Sequence, residues 1–418
     1  MSETTGRASR RTFVSAGAAG LLSTSLVSRA TAARGGKRAY VLVVDGCRPD
    51  EITPTLTPTL AALRDGGLNH PRATSLPVME TIPNHVMMMT GVRPDRSGVP
   101  ANVIYDRTLR DTRDMDRPRD IRCRTVLGRL NEAGFTTGTV LSKTYLHGIF
   151  GKRATHRWEP RPIVPVSGHA PDAFTMDAAL SMVEEHDPNL IFVNLGDVDR
   201  MGHADETGPL DVRALRQAAL TDTDRQVSRF VDLLKSSGRW KNSVVIVLAD
   251  HSMDWSNPDK VISLTGPLED DPFLAGKVAI APNGGADLLY WTGPAADRDR
   301  AVNRMRAIAA DTPGVLRAHD RRLHHESLRL GPEAGDVVVY CRSGWRFTEP
   351  DPSGNPIPGN HGHPATRPIP FFIGGGHPAV PRRTASSELA RTVDVAPTVA
   401  AFFGVGGPPG GYDGRNRL

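Results

Sequence analysis

Short apolar runs alternate with amphipathic segments along most of this chain. Three runs rich in valine, isoleucine and leucine occupy residues 40–44, 190–195 and 244–249. Continuous apolar runs of this length are typical of strands in a parallel sheet, because helices cover both faces of such a sheet. The amphipathic stretch over residues 210–234 predicts one of those helices. The pattern therefore predicts an α/β fold, with a mostly parallel sheet flanked by helices.

The same pattern extends over the rest of the chain. It predicts further strands over 137–141 and 369–373, and further helices over 57–64, 81–91, 125–133, 174–185 and 395–403. Shorter segments, with strands over 277–280, 286–291 and 314–318 and a helix over 298–310, predict a small α/β insertion over 252–335. The core, over 38–251 and 336–405, is expected to resume with a strand over 336–340. Residues 406–418 are predicted to be a glycine- and proline-rich tail.

The first 32 residues have the layout of an export signal. Arg10 and Arg11 precede a small-residue and apolar stretch over 14–27, and Ala30-Thr31-Ala32 forms an A-x-A cleavage pattern. The arginine pair predicts export by the twin-arginine (Tat) pathway to the cell envelope or the extracellular space. The apolar stretch is too short and too rich in glycine, alanine and serine for a stable membrane span, and no later segment predicts one.

Composition and charge narrow the possible partners. The chain has 418 residues, of which 39% are hydrophobic and 23% charged, as expected of a globular protein. Its net charge of +5 falls to +2 without residues 1–32, because that segment contributes four arginines and one glutamate. This balance predicts no stable nucleic-acid partner. The three cysteines have no C-x-x-C spacing, which excludes a thiolate zinc site.

Residue types that bind divalent metal ions follow each of the three apolar runs. An aspartate ends the first run, an aspartate and a histidine with i, i+4 spacing follow the second, and an Asp-His pair ends the third. Because sites form beyond the carboxyl ends of parallel strands, these side chains are expected to converge. Thr81, at the start of a predicted helix, and His361, in a loop with flanking glycines, are further candidates for the same site. The residues expected at this one metal site are therefore Asp45, Thr81, Asp199, His203, Asp250, His251 and His361.

Each of these short sequence segments also has a purely structural interpretation, in which it binds no metal ion. Asp250 beside His251 is compatible with a helix cap next to a surface histidine, and Thr81 with the N-cap of the helix predicted over 81–91. An N-cap hydroxyl can still be a nucleophile, provided that a base or a metal activates it. Asp197 and His363 are alternative ligands within their own motifs.

Six short motifs occur in a fixed order that resembles the alkaline phosphatase superfamily. Within it, the chain is most similar to the nucleotide pyrophosphatase/phosphodiesterase (type I phosphodiesterase) family, and the resemblance implies an alkaline-phosphatase-like core. It spans roughly residues 38–405 and rests on V-x-D-G-x-R-x-D at 43–50, T-x-P-N-H at 81–85, D-x-x-G-H at 199–203, D-H-x-M at 250–253, H-G at 361–362 and D-V-x-P-T at 394–398.

The resemblance implies a hydrolase of phosphodiester or pyrophosphate bonds that acts on a small substrate such as a nucleotide. Two divalent ions are implied, with Zn²⁺ expected and Mn²⁺ or Fe as alternatives. Their implied ligands are Asp45, Thr81, Asp250 and His251 for one ion, and Asp199, His203 and His361 for the other. Thr81 is the implied nucleophile, which passes through a phospho-threonine intermediate.

Asn102, in the N-x-x-Y-D motif at 102–106, is implied to donate a hydrogen bond to a non-bridging phosphoryl oxygen. A neutral amide suits a diester, whereas monoesterases commonly place a cation there. The chain departs from the family pattern at Val198, Ser252 and His363-Pro364, and the last departure alters the loop that carries His361. The alternatives are a phosphomonoesterase or phosphonate hydrolase on the same scaffold, and a non-catalytic metal- or anion-binding homologue.

Overall fold

A computed structural model describes residues 36–165, 167–205, 213–350 and 358–418. In these ranges the main sheet has eight strands, in the spatial order Thr384–Ala385, Leu68–Asn69, Phe371–Gly374, Ser243–Leu248, Arg38–Val44, Leu190–Leu195, Thr137–Leu141 and His156–Trp158. Within this sheet, Phe371–Gly374 alone runs antiparallel to its neighbours. The predicted α/β fold with a mostly parallel sheet is therefore confirmed.

Two groups of helices flank the main sheet. One group consists of Pro58–Gly66, Asp172–Glu185 and Ala214–Ser236, and the other of Thr81–Thr90, Val126–Glu132, Thr144–Phe150 and Val395–Phe403. All residues from 39 to 44 in the first strand are buried. Both faces of this strand are thus covered, which explains why its sequence is apolar without alternation.

Several predicted boundaries agree with the structure to within a few residues. The helix predicted over 81–91 is Thr81–Thr90, and it ends at Gly91, whose φ of 70° is left-handed. The helix predicted over 210–234 is observed as Ala214–Ser236, and its predicted start at 210–212 lies outside the described residues, as does the predicted export signal. None of the helices in the described ranges is both long and apolar enough to cross a lipid bilayer.

A second sheet, the insertion sheet, has four antiparallel strands. In spatial order they are Val278–Asn283, Ala286–Trp291, Val337–Cys341 and Val315–Asp320. The helix Arg298–Asp311 packs against this sheet, and short helices over Thr265–Glu269 and His325–Leu328 lie in the same part of the chain. Further short elements include the helices Pro94–Ser97 and Asp197–Ala204. They also include the strand pairs Val103–Asp106 with Asp111–Asp114, Val261–Ile262 with Arg346–Phe347, and Asp254–Trp255 with Gly359–Asn360.

The strand Val337–Cys341 corrects one prediction. It belongs to the insertion sheet, so the prediction that the core resumes with residues 336–340 is wrong, and the insertion extends beyond 335. Val337 and Val339 pack into the apolar cluster around the insertion helix, whereas Val338 and Tyr340 pack into a separate apolar cluster that includes Val78, Met79 and Ala101. Because both faces of this strand are buried, its sequence has the continuous apolar pattern of a parallel-sheet strand.

The C-terminal segment, predicted to be a tail, packs against the core. Residues 406–418 form no helix or strand, but Arg417 makes a buried ion pair with Asp394, with 2.7 Å between Nε and Oδ2. Asp413 accepts a hydrogen bond from the backbone N–H of Arg93 at 2.7 Å. Glycine- and proline-rich composition indicates irregular backbone, and here that backbone is held by specific charged contacts.

We expect Arg417→Ala to lower the free energy of unfolding by about 3 kcal/mol, because it leaves the buried Asp394 carboxylate without its cation. Chemical denaturation of the full chain measures this change. Arg415→Ala is the matched control, since Arg415 contacts Asp394 through its backbone N–H and its side chain is exposed. A similar loss in both variants would contradict the assignment of the effect to the ion pair.

Candidate active site

The three central strands deliver their following residues to the same edge of the main sheet. Val44 lies opposite Leu195, and Val43 lies opposite Leu248. Just beyond the first strand, Gly46 has a left-handed φ of 72°, and a Cβ atom there would lie 3.2 Å from Cα of Asp199. The glycine therefore allows the first strand to leave the sheet close to the segment that carries Asp199.

The structure brings most of the predicted metal ligands together in two overlapping groups. Ligand atoms of Asp45, Asp250 and His251 lie within 4.8 Å of one another, and so do those of Asp199, His251 and His361. All five residues are buried. His251 is common to both groups, whereas the family resemblance assigns it to the ion held by Asp45.

Each of the three carboxylates has one oxygen that accepts a hydrogen bond and one that has none among the described residues. Oδ2 of Asp45 accepts from Asn194, Oδ1 of Asp250 from backbone amides, and Oδ2 of Asp199 from Lys143. Oδ1 of Asp45, Oδ1 of Asp199 and Oδ2 of Asp250 are buried and have no hydrogen-bond partner in the described part of the chain. Buried polar atoms are normally satisfied, so three such oxygens in one cluster fit ligands of divalent cations.

The histidines also direct nitrogen atoms to this cluster. Nδ1 of His203 donates to the carbonyl oxygen of Gly359 at 2.8 Å, and Nδ1 of His251 donates to that of Ser252 at 3.0 Å. In a neutral ring, Nε2 is then the nitrogen atom that carries the lone pair. Nε2 of His203 lies 3.3 Å from Oδ1 of Asp199. Burial lowers the pKa of His251 to about 4, so its imidazole is neutral at pH 7 and can bind a metal ion.

The carboxylates differ in their electrostatic surroundings. Burial raises the pKa of Asp45, and the neighbouring Asp250 carboxylate raises it further. Burial acts in the same direction on Asp199, but Lys143 and His203 outweigh it and hold the pKa of Asp199 well below its usual range. A cation would stabilise the negative charge that burial disfavours on Asp45, and oxygen and imidazole donors without thiolate fit Zn²⁺.

Thr81 lies at the start of its helix with its hydroxyl directed at the cluster. Its Oγ1 is 3.3 Å from Nε2 of His251, and the side chain is buried. Oδ1 of Asn102 accepts a hydrogen bond from the backbone N–H of Ile82 at 2.8 Å. The backbone N–H of Asn102 in turn donates to the carboxyl group of Glu80, whose pKa burial raises to about 8. These bonds hold Asn102 beside Thr81 and leave the Nδ2 amide of Asn102 as its side-chain donor.

Three residues that the sequence analysis did not select surround the carboxylates. Nζ of Lys143 lies between Asp45 and Asp199, and Asn194 donates to Asp45 at 2.8 Å. Nδ1 of His85, in the T-x-P-N-H motif, donates to the carbonyl oxygen of Thr81 at 2.8 Å. Lys143 lies shortly after the buried strand Thr137–Leu141. Asp45 was identified as a candidate because it occupies a similar position after a buried strand. Lysine is rarely buried, however, and composition gives no reason to place it inside.

The two alternative ligands do not join the cluster. Asp197 binds Nε2 of His169 at 2.7 Å and accepts from the backbone N–H of Asp172, so its carboxylate is already engaged. Nε2 of His363 lies 3.3 Å from Oδ2 of Asp254. Neither alternative belongs to a metal-compatible group among the described residues.

Comparisons with known proteins agree with this geometry. The model of the type I phosphodiesterase/nucleotide pyrophosphatase family matches residues 39–364. Human ectonucleotide pyrophosphatase/phosphodiesterase family member 5 is 22% identical over 395 residues, which cover 89% of this chain and 76% of that protein. Bovine bis(5'-adenosyl)-triphosphatase ENPP4 is 23% identical over 381 residues, covering 86% of this chain and 77% of the relative.

Solved structures show the same fold. An inactive threonine-to-alanine variant of murine ectonucleotide pyrophosphatase/phosphodiesterase 5, in complex with AMP, has a TM-score of 0.72 and 18% identity, with coverage of 88% of this chain and 95% of that chain. Phosphonoacetate hydrolase from Sinorhizobium meliloti has a TM-score of 0.69 and 18% identity, with coverage of 88% and 96%.

The match covers well over half of the chain and includes the three central strands of the main sheet, the Thr81 helix and the loop that carries His361. It also confirms the predicted class of enzyme, a hydrolase of the nucleotide pyrophosphatase type. The chain belongs to the type I phosphodiesterase/nucleotide pyrophosphatase family.

Proposed function

We propose that this chain hydrolyses phosphodiester or pyrophosphate bonds with two bound divalent ions and Thr81 as the nucleophile. The observation that carries the proposal is the buried Thr81 hydroxyl, 3.3 Å from Nε2 of His251, beside carboxylate oxygens that have no hydrogen-bond partner among the described residues. The residues that would hold one ion are Asp45, Thr81, Asp250 and His251, and those for the other are Asp199, His203 and His361. Zn²⁺ is the proposed metal, with Mn²⁺ or Fe as alternatives.

When bound, the ions would supply the positive charge that lowers the pKa of the Thr81 hydroxyl and stabilises charge on the leaving oxygen. Oγ1 of Thr81 gives up its proton and attacks phosphorus, the bond to the leaving oxygen breaks and that oxygen takes up a proton, and the phosphoryl group stays on Thr81 as a phospho-threonine diester. Water then attacks the same phosphorus, the bond from phosphorus to Oγ1 breaks and a proton of the water passes to Oγ1, which releases a phosphate monoester and restores the Thr81 hydroxyl. The Nδ2 amide of Asn102, fixed by the bond from Ile82, stabilises charge on a non-bridging oxygen.

A nucleotide is the proposed substrate class. Support comes from the relatives, which are named for nucleotide pyrophosphatase and bis(5'-adenosyl)-triphosphatase activities, and from the AMP in the murine complex. The second candidate is a phosphonate, favoured by the structural similarity to phosphonoacetate hydrolase. Assays of the metal-replete enzyme on nucleotide diesters, dinucleoside polyphosphates and phosphonoacetate separate the two.

We expect Thr81→Ala to reduce turnover of bis(p-nitrophenyl) phosphate by roughly three orders of magnitude or more, because the attacking oxygen is lost. The folded structure should persist, and acid-quenched wild-type enzyme should carry a phosphoryl group that mass spectrometry locates on Thr81. Thr90→Ala is the matched control, since Thr90 is buried at the other end of the same helix. Turnover of the Thr81 variant close to that of the wild type would rule out this nucleophile.

Asn102→Ala is expected to slow a diester by about 10²-fold and a monoester by less, because the lost donor is neutral and suited to a single negative charge. Parallel kinetics on bis(p-nitrophenyl) phosphate and p-nitrophenyl phosphate measure the ratio. Asn283→Ala is the control, since Asn283 binds the backbone of the next residue, Val103, and should affect both substrates alike. Equal losses in the Asn102 variant would remove the argument for diester selectivity.

Metal-replete wild-type enzyme is expected to retain two ions per chain after gel filtration, as elemental analysis would show. His203→Ala should lower this content, because His203 is a proposed ligand beside Asp199. His363→Ala should retain both ions, because His363 contacts Asp254 and not the cluster. Retention of both ions by the His203 variant, or equal loss in both variants, would contradict the ligand assignment.

A further inference from the structure

Lys143 contacts both candidate ion groups directly. It lies just beyond the strand Thr137–Leu141, and its side chain is fully buried. Its Nζ atom is 2.8 Å from Oδ2 of Asp45 and 2.7 Å from Oδ2 of Asp199. Asp45 and Asp199 belong to different groups of candidate ligands, so one ammonium group connects the two.

Lys143 binds one oxygen of each carboxylate and leaves the other oxygen available as a ligand for the proposed ions. Oδ2 of Asp45 is shared by Lys143 and by the amide of Asn194, at 2.8 Å in each case. Oδ1 of Asp45 and Oδ1 of Asp199 are buried and have no hydrogen-bond partner within the described ranges, and Oδ1 of Asp199 lies 3.3 Å from Nε2 of His203. Lys143 therefore fixes the orientation of both carboxylates while it leaves their other oxygens available.

The charge of Lys143 balances part of a buried negative cluster. Asp45, Asp199 and Asp250 are all buried, and burying like charges together is costly unless a cation pairs with them. The guanidinium of Arg200 is farther away, with Nε 3.9 Å from Asp199. When divalent cations bind to the same carboxylates, the ammonium is no longer needed for neutralisation and is repelled by the ions.

We propose that Lys143 is an internal counter-ion that keeps the two ligand groups assembled in the metal-free protein, and that bound ions take over this role. The inference rests on the ion sites proposed above. It makes Lys143 a positioning residue, which acts through Asp45 and Asp199. It also predicts that the chain folds around its site before metal enters.

The test compares Lys143→Met with the wild type in the full chain, by thermal unfolding in excess chelator and in excess Zn²⁺. Methionine fills similar space without charge. In chelator we expect the Tm of the variant to fall by about 5–10 °C relative to the wild type, because a buried ion pair is broken. In Zn²⁺ the fall should be less than half as large. Because Zn²⁺ restores more stability to the variant than to the wild type, linkage requires that the variant bind Zn²⁺ more tightly, by about tenfold over both sites together. Competition with a chromophoric chelator measures this affinity.

Asn194→Leu is the matched control, because it removes a neutral hydrogen bond to the same oxygen of Asp45. It should lower Tm by similar amounts in chelator and in Zn²⁺. If Lys143→Met folds only with Zn²⁺ and unfolds on chelation while the wild type stays folded, the proposal is supported.

Equal falls in Tm under both conditions would overturn the proposal and leave Lys143 a purely structural lysine. Weaker Zn²⁺ binding by the variant would overturn it too. A wild-type Tm that does not respond to Zn²⁺ would reject the ion sites themselves, together with this role of Lys143.

Discussion

The packing of three buried carboxylates at one edge of the main sheet is the constraint on which the rest of the site depends. Parallel pairing places the ends of the three central strands side by side, so Asp45 and Asp250 meet, and Asp199 follows one turn into the next segment. The fold must then supply hydrogen-bond donors to these carboxylates. Backbone N–H groups of Gly46 and His251 serve Asp250, and side-chain donors serve the other two.

The insertion also helps to position residues of the candidate site. Asn283, at the turn of its first hairpin, binds the backbone of Val103 through both atoms of its amide and so holds the segment that begins at Asn102. A Cβ atom at the adjacent Gly285 would lie 2.2 Å from the carbonyl oxygen of His361. The same hairpin thus packs against the His361 loop. Two site residues that are more than 250 positions apart are positioned by one turn of the insertion.

The sequence pattern was sufficient where a residue's role follows from its position on a strand. Asp45 and Asp250 could be placed because each ends a buried run, and Thr81 because Pro83 and Gly91 delimit its helix. The sequence pattern did not predict the position of a residue whose burial arises from contacts with residues distant in sequence. Val337–Cys341 looks like a core strand because a separate apolar cluster, which includes Val78, Met79 and Ala101, covers its second face. The packing of Arg417 on Asp394 is not apparent from the sequence of a glycine-rich segment. Lys143 was missed for the same reason, since its partners lie at positions 45 and 199.

Charge connects Lys143 with the proposed ions. When ionised, Asp45, Asp199 and Asp250 carry three formal negative charges, and the ammonium of Lys143 and the guanidinium of Arg200, whose Nε lies 3.9 Å from Asp199, carry two positive charges. Two divalent ions would change this sum from one negative charge to three positive charges. Since an unbalanced charge is costly in a buried site, the metal-free chain would depend on the ammonium of Lys143, whereas the metal-bound site would favour an anionic phosphoryl group.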